Sequence, residues 1–254
     1  MLYKEYPPHP ALQADVECMW TACVRPSGGA AHTHRVLPDN CVDILWQDTG
    51  AAGFAVGMMS RAIHVASGGP VRTVAVRFKP GAAGRFLGLP LHVLTDQRAD
   101  MDQLWGRSDA ERMADALWGT ELSDVQRIAL LEADLLARLR RPPGGASGTD
   151  GHALIRHALA ALDASHGALR IEDLAAQMHV SRQHMAAQFR IKVGLSPKLY
   201  ARIARFRRAM AALRQAPSPD FAQLALECGY FDQSHLIHDF QDFAGSTPER
   251  FLAA

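Results

Sequence analysis

The sequence predicts an α+β chain: a small β-barrel-like domain, a helical segment, and an all-α C-terminal domain carrying two helix-turn-helix motifs. Three observations lead there. Short apolar runs of strand length fill the first 80 or so residues, and a Pro- and Gly-rich stretch follows two helical patterns at 141–151. The last third repeats one pattern of apolar, Gly and Pro residues twice. The expected boundaries are 1–100 for the β-rich domain, 101–140 for the helical segment, 141–151 for a flexible linker and 152–254 for the all-α domain.

The expected strands are Val16–Val24, Cys41–Trp46, Phe54–Met58 and Val71–Phe78, separated by Gly, Pro and Asp turns. Thr73–Phe78 alternates weakly, as a half-exposed strand would, and several short strands in a row argue for a barrel or sandwich. Pro80–Leu87 reads as a turn entering a short helix. Two longer helices follow, Ser108–Trp118 and Ser123–Arg140. In the second, Val125, Ile128, Leu131 or Glu132, Leu135 and Leu139 recur at helical spacing behind Ser123 as N-cap. Such a pair can pack on its own domain or serve as a dimer interface.

In the C-terminal third, Ile171, Leu174, Ala175, Met178 and Val180 recur as Phe221, Leu224, Ala225, Cys228 and Tyr230. After the inserted Phe231, Phe189, Gly194, Ser196, Pro197 and Tyr200 recur as Phe240, Gly245, Thr247, Pro248 and Phe251. In each copy a short helix holds Leu then Ala, the small residue that lets a second helix cross closely. The second helix opens on Ser181 or Asp232 as N-cap and buries Met185 and Phe189, or Leu236 and Phe240. Its other face is polar: Arg182, Gln183, His184 and Gln188, then Gln233, Ser234, His235 and His238. A face of that kind suits base edges in a major groove. Gly194 and Gly245 fit left-handed C-caps, with Ser196 and Thr247 as the next N-caps and Pro197 and Pro248 at the first helical position. The helix from Pro197 to about Gln215 carries an apolar stripe of Leu199, Ile203, Phe206, Met210 and Leu213. Roughly 28 Å long at the α-helical rise, it could hold two recognition helices about one DNA turn apart.

These residues resemble the DNA-binding domain of the AraC/XylS family of transcription regulators over about 152–254. The resemblance rests on Leu174-Ala175, Ser181, Phe189, Gly194-Leu195-Ser196-Pro197, Ala225, Gly229-Tyr230, Asp232-Gln233-Ser234-His235-Leu236 and Gly245-Ser246-Thr247-Pro248. A second resemblance joins the N-terminal residues to one AraC-type subfamily with a cupin-like domain. It rests on Pro8-His9-Pro10-Ala11-Leu12, Val16-Glu17, Trp20, Arg35–Ile44 and Val76–Gly81. The subfamily's usual Pro-Asp-Gly-Cys-Val-Asp reads Pro38-Asp39-Asn40-Cys41-Val42-Asp43 here, and Asn tolerates the left-handed backbone that Gly supplies. Together they imply a one-component regulator, not an enzyme. It would need no cofactor, bind double-stranded promoter DNA and answer to an unidentified small-molecule effector. Homodimerisation and contact with RNA polymerase are left open.

Composition agrees with this class. The 254 residues are 48% hydrophobic and 21% charged, with a net charge of +1, and no apolar run reaches membrane-spanning length. The N-terminus does not read as a signal peptide, and the four cysteines form no CxxC pair, so a cytoplasmic protein is expected. The near-zero net charge conceals an asymmetry. Residues 152–215 hold eleven Arg or Lys against three acids, whereas 216–254 hold only Arg250 against six. Phosphate contact is therefore expected from Arg182, Arg190, Lys192, Lys198, Arg202, Arg205, Arg207 and Arg208, not all at once.

In the N-terminal half, Trp20, His34, Cys41 and Trp46 lie on or beside expected strands and could line an effector space. Core packing is the simpler reading for both tryptophans, as a small buried hydrophobe is for Cys41. His32-Thr33-His34 would put two imidazoles on one strand face, but no third ligand has diagnostic spacing, so no metal site is expected. Two rival functions stay in view: a metal-dependent cupin-type enzyme, or a thiol-based redox or electrophile sensor, either one fused to the DNA-binding module.

Overall fold

A computed structural model of the chain describes residues 2–25, 32–140, 149–215 and 220–253. They form two compact units. The first comprises Met1–His34, Cys41–Gly57 and His64–Ser147; the second comprises Arg35–Asn40, Met58–Ile63 and Gly148–Ala254.

In the first unit a six-stranded sheet runs in the order β1-β2-β7-β4-β5-β8. The strands are β1 (Leu2–Tyr6), β2 (Val16–Val24), β4 (Val42–Gln47), β5 (Phe54–Val56), β7 (Val71–Phe78) and β8 (Arg98–Asp100). β3 (His32–Val36) and β6 (Ile63–Ser67) pair as a separate ribbon. The β-rich domain is present as expected of a barrel or sandwich, and its main sheet is open, with β1 and β8 at its edges. The register sorts the side chains. Met19, Val76 and Ile44 align across three strands, and with Val74, Phe78 and Trp46 they make one buried face. Trp20, Ala75 and Leu45 align on the other face, beside the cross-strand pair Asp43 and Arg77. Because both faces of β2 and β7 are covered, these strands read as near-continuous apolar runs rather than clean alternation.

The helices of this unit are α1 (Ala83–Leu87), α2 (Met101–Trp105), α3 (Arg107–Trp118) and α4 (Asp124–Leu139). Ser123 caps α4 reciprocally with Gln126, as its position led one to expect. Ile128, Leu131 and Leu135 face inward, and α4 packs on α1, α3 and β7. Val125, expected on the apolar stripe, is 64% exposed. Its place inside is taken by Arg127, whose Nε donates to the Leu117 carbonyl at 2.9 Å and whose guanidinium lies over the Trp118 ring. The helical segment 101–140 thus packs within its own unit.

The second unit is helical: α5 (Thr149–Ala164), α6 (Ile171–Gln177), α7 (Arg182–Val193), α8 (Pro197–Gln215), α9 (Phe221–Glu227), α10 (Gln233–Ala244) and α11 (Pro248–Leu252). α5 begins inside the expected linker, whose residues 141–148 lie outside the described ones. Ile155, Ala158 and Leu162 of α5 close one core over Leu174, Ala175, Met185, Phe189 and Tyr200. A second core stacks Phe206 against Phe240 and Phe243, with ring centroids 4.9 and 5.4 Å apart.

Candidate nucleic-acid interface

The repeat in the sequence is a repeat in hydrogen bonds. In the α6–α7 turn, the Met178 amide donates to the Leu174 carbonyl and the Val180 amide to that of Ala175. In the α9–α10 turn, Cys228 donates to Leu224 and Tyr230 to Ala225 in the same way. The left-handed residue of each turn is His179, at φ 54°, and Gly229, at φ 83°. Each recognition helix then starts on its expected cap. Ser181 Oγ accepts from the His184 amide at 3.1 Å, and Asp232 Oδ1 from the His235 amide at 2.8 Å. Gly194 and Gly245 end the two helices with positive φ, and Ser196 and Thr247 cap the next ones. Two helix-turn-helix motifs therefore flank one nineteen-residue connecting helix, α8.

Of the expected contact residues on α7, Arg182, Gln183, His184 and Arg190 are exposed, while Gln188 and Lys192 are half-buried. Burial draws the Lys192 ammonium below its ordinary value. Lys198 is exposed at the start of α8. The beginnings of α6, α7 and α8 enclose a cleft of about 600 Å³. Its charged lining is Arg170, Arg182, Lys198 and Arg205 against the single acid Glu172. Arg182 Nη1 reaches Glu172 Oε1 at 3.2 Å, but both are at least half exposed, so water and salt screen the pair and a phosphate can displace it. The N-terminal ends of α7 and α8 add partial positive charge, which makes the cleft a fit for phosphate oxygens. Arg170 was not singled out in the sequence; its only signal was a cation directly before the first helix of the motif.

On α10, Gln233 and Ser234 are exposed, His235 stacks edge-on against Tyr230 with centroids 5.2 Å apart, and His238 is 66% exposed. His238 Nε2 lies 3.5 Å from Asp242 Oδ2. Thus all four expected contact residues lie along one helix, with the last beside a carboxylate.

Arg202 departs from expectation. Its Nε and Nη2 donate to Asp239 Oδ1 at 2.9 and 2.6 Å, and Nη2 also to Asp242 Oδ2 at 2.6 Å. Asp239 is wholly buried. A buried carboxylate demands a counter-charge, so Arg202 is held within the protein rather than offered to phosphate. Burial and then the Asp239 charge push the Tyr230 phenol far upward, which keeps it protonated beside this pair.

The N-terminal candidates do not gather in one place. Trp20 and Trp46 align with Ala75 and Val74, adjacent residues of β7, and so lie on opposite faces of the sheet. Trp46 is fully buried 5.7 Å from Trp105, a core position. Trp20 packs with Cys18 and Ala75, Cys41 is buried, and His34 is exposed. Burial pushes the Cys18 thiol up to about 11. Among the described residues no group of His, Cys, Asp and Glu is arranged to hold a metal, and the side chain of His32 lies outside them.

Comparison with known proteins matches a family to each part of the chain. Residues 174–254 match a helix-turn-helix domain family, and 4–100 match a domain of unknown function, DUF6597. No curated protein matches the chain. Among solved structures, ToxT from Vibrio cholerae O395 is 10% identical, with 92% of this chain and 97% of that one covered at a TM-score of 0.45. ToxT from Vibrio cholerae solved at 1.65 Å is 11% identical, with coverages of 92% and 98% and a TM-score of 0.48. By its family match, the C-terminal part of the chain carries a helix-turn-helix domain. Within it the structure joins two motifs through α8.

Proposed function

We propose that the protein is a sequence-specific DNA-binding transcription regulator controlled by a small molecule. The observation that carries the reading is the doubled motif. Two turns with identical hydrogen bonding present two recognition helices from one connecting helix, and the first lies beside a cleft of four cations. Phosphate oxygens enter that cleft and fix the register, while Arg182, Gln183 and His184 read base edges. The second motif, with Gln233, Ser234, His235 and His238, adds hydrogen bonds but little charge. The first unit receives the effector, which shifts DNA affinity by binding one state of the protein more tightly than another.

The test is enrichment of duplexes from a random pool by the full chain, followed by affinity titration. Recovery of a motif with two half-sites about one DNA turn apart supports the reading. Failure to enrich any sequence, with only salt-sensitive unspecific binding, refutes it.

A further inference from the structure

The helix-turn-helix pair is not the whole of its unit. Arg35–Asn40 and Met58–Ile63 belong to the same compact body as Gly148–Ala254. The hexapeptide Arg35–Asn40 touches that body at three places. Arg35 Nη1 donates to the Ala244 carbonyl at 3.3 Å, and its guanidinium stacks 5.0 Å from the Phe251 ring. The Asp39 carbonyl accepts from Arg207 Nη1 at 3.0 Å. Asn40 Nδ2 donates to the Tyr200 carbonyl at 3.3 Å, in a buried position.

These partners are not arbitrary surface points. Ala244 is the last residue of α10, and its carbonyl is one of the four that a helix end leaves without an intrahelical donor. A cation there also opposes the negative end of the helix dipole. Tyr200 is one of the residues by which α8 packs on the first motif: its ring meets Phe189 of α7 edge-on at 5.6 Å, and its hydroxyl donates to Asp163 at 2.7 Å. The hexapeptide thus spans from the end of the second recognition helix to a residue that packs on the first.

Asn40 itself argues for a purpose. Its backbone sits at φ 65°, a conformation that Gly adopts more cheaply. Its side chain is 2% exposed, and Oδ1 finds no hydrogen-bond partner. An amide half-satisfied in burial is costly, and what it gains is the bond to Tyr200.

We propose that Arg35–Asn40 is a positioning strap for DNA recognition, which caps the second recognition helix and holds α8 so that both motifs meet successive grooves together. The inference rests on the DNA-binding reading above. A strap of this kind governs alignment, not charge, so it affects a cognate site and leaves unspecific phosphate attraction alone.

The experiment uses full-length Arg35→Ala, Arg35→Lys and Asn40→Gly. The probes are a duplex enriched by the wild type and a scrambled duplex of equal length and composition. Asn40→Gly keeps the left-handed backbone and removes only the amide. Arg35→Ala and Asn40→Gly are each expected to weaken the enriched duplex by about fivefold, the scale of one hydrogen bond. Binding of the scrambled duplex stays unchanged, and Arg35→Lys recovers part of the loss. Unchanged affinity for the enriched duplex in both variants overturns the strap, as does an equal loss on both probes, which is general destabilisation. Tighter binding overturns it too, since the segment would then be inhibitory. A wild type that enriches nothing brings down the DNA-binding reading itself and is recognised before any variant is made.

Discussion

Replacing Arg202 with Ala separates a structural from a DNA-contacting role for this half-buried cation of α8. Asp239 is 0% exposed and Arg202 23% exposed, with two guanidinium nitrogens on one carboxylate oxygen at 2.6 and 2.9 Å. Removing the guanidinium leaves a buried carboxylate without a counter-charge and Asp242 beside it without a shared partner. Breaking a buried pair from one side costs about 3–5 kcal/mol. In a unit of roughly a hundred residues, each kcal/mol moves Tm by about 4–8 °C, so Arg202→Ala lowers Tm by at least about 12 °C. Arg202→Met combined with Asp239→Leu deletes both charges and fills the volume with apolar groups, so most of the loss returns.

The assay is thermal unfolding followed by circular dichroism, with DNA titrations of the same proteins across a salt series. If Arg202→Ala costs less than about 1 kcal/mol, the pair is no stronger than a surface contact. If it also lowers the magnitude of the salt slope by about one, Arg202 meets phosphate and the internal assignment is wrong.

Phe189 and Phe240 are each fully buried at the centre of their motifs, so truncating either to Ala is expected to cost about 3–5 kcal/mol in urea unfolding. Arg182→Ala is expected to weaken DNA binding more than His238→Ala and to lower the salt slope by about one, which fluorescence anisotropy across salt concentrations measures. The Cys18 thiol titrates near 11 in the folded chain because burial disfavours its thiolate. A folded value above the unfolded one means that this stabilisation is intact below about pH 8.5 and is lost as pH rises towards the folded value. Urea midpoints between pH 7 and pH 10.5 should therefore fall less steeply in Cys18→Ala than in the wild type.

The helical third was legible because its signals are local. Caps at Ser181, Asp232 and Thr247 and left-handed glycines at 194 and 245 act over one turn of chain, and the structure places them as expected. β2 and β7 were legible because two buried faces leave an unbroken apolar run. β1 and β6 were not: Leu2–Glu5 and His64–Ala66 are exposed, so no apolar pattern marks them, and pairing is what makes them strands. Whether the strands would close into a barrel was not legible for a related reason. Closure depends on whether the outermost strands meet, and nothing in short-run composition reports that.

The charge asymmetry of the C-terminal third was visible, but its meaning depends on tertiary pairing. Of the six acids after residue 215, Asp220 and Asp232 cap helices, and Asp239 and Asp242 hold Arg202. The pairing therefore subtracts from both sides of the ledger at once. It cancels much of the second motif's acidity and removes one cation from the set available to phosphate. Of the cations that remain, Arg170, Arg182, Lys198 and Arg205 gather at the first motif, and the second is left with neutral donors on α10. On the proposed function, affinity and register are then set chiefly by the first motif. The second contributes selectivity only when it is held in place, by Arg202 from within and, on our proposal, by the strap at Ala244.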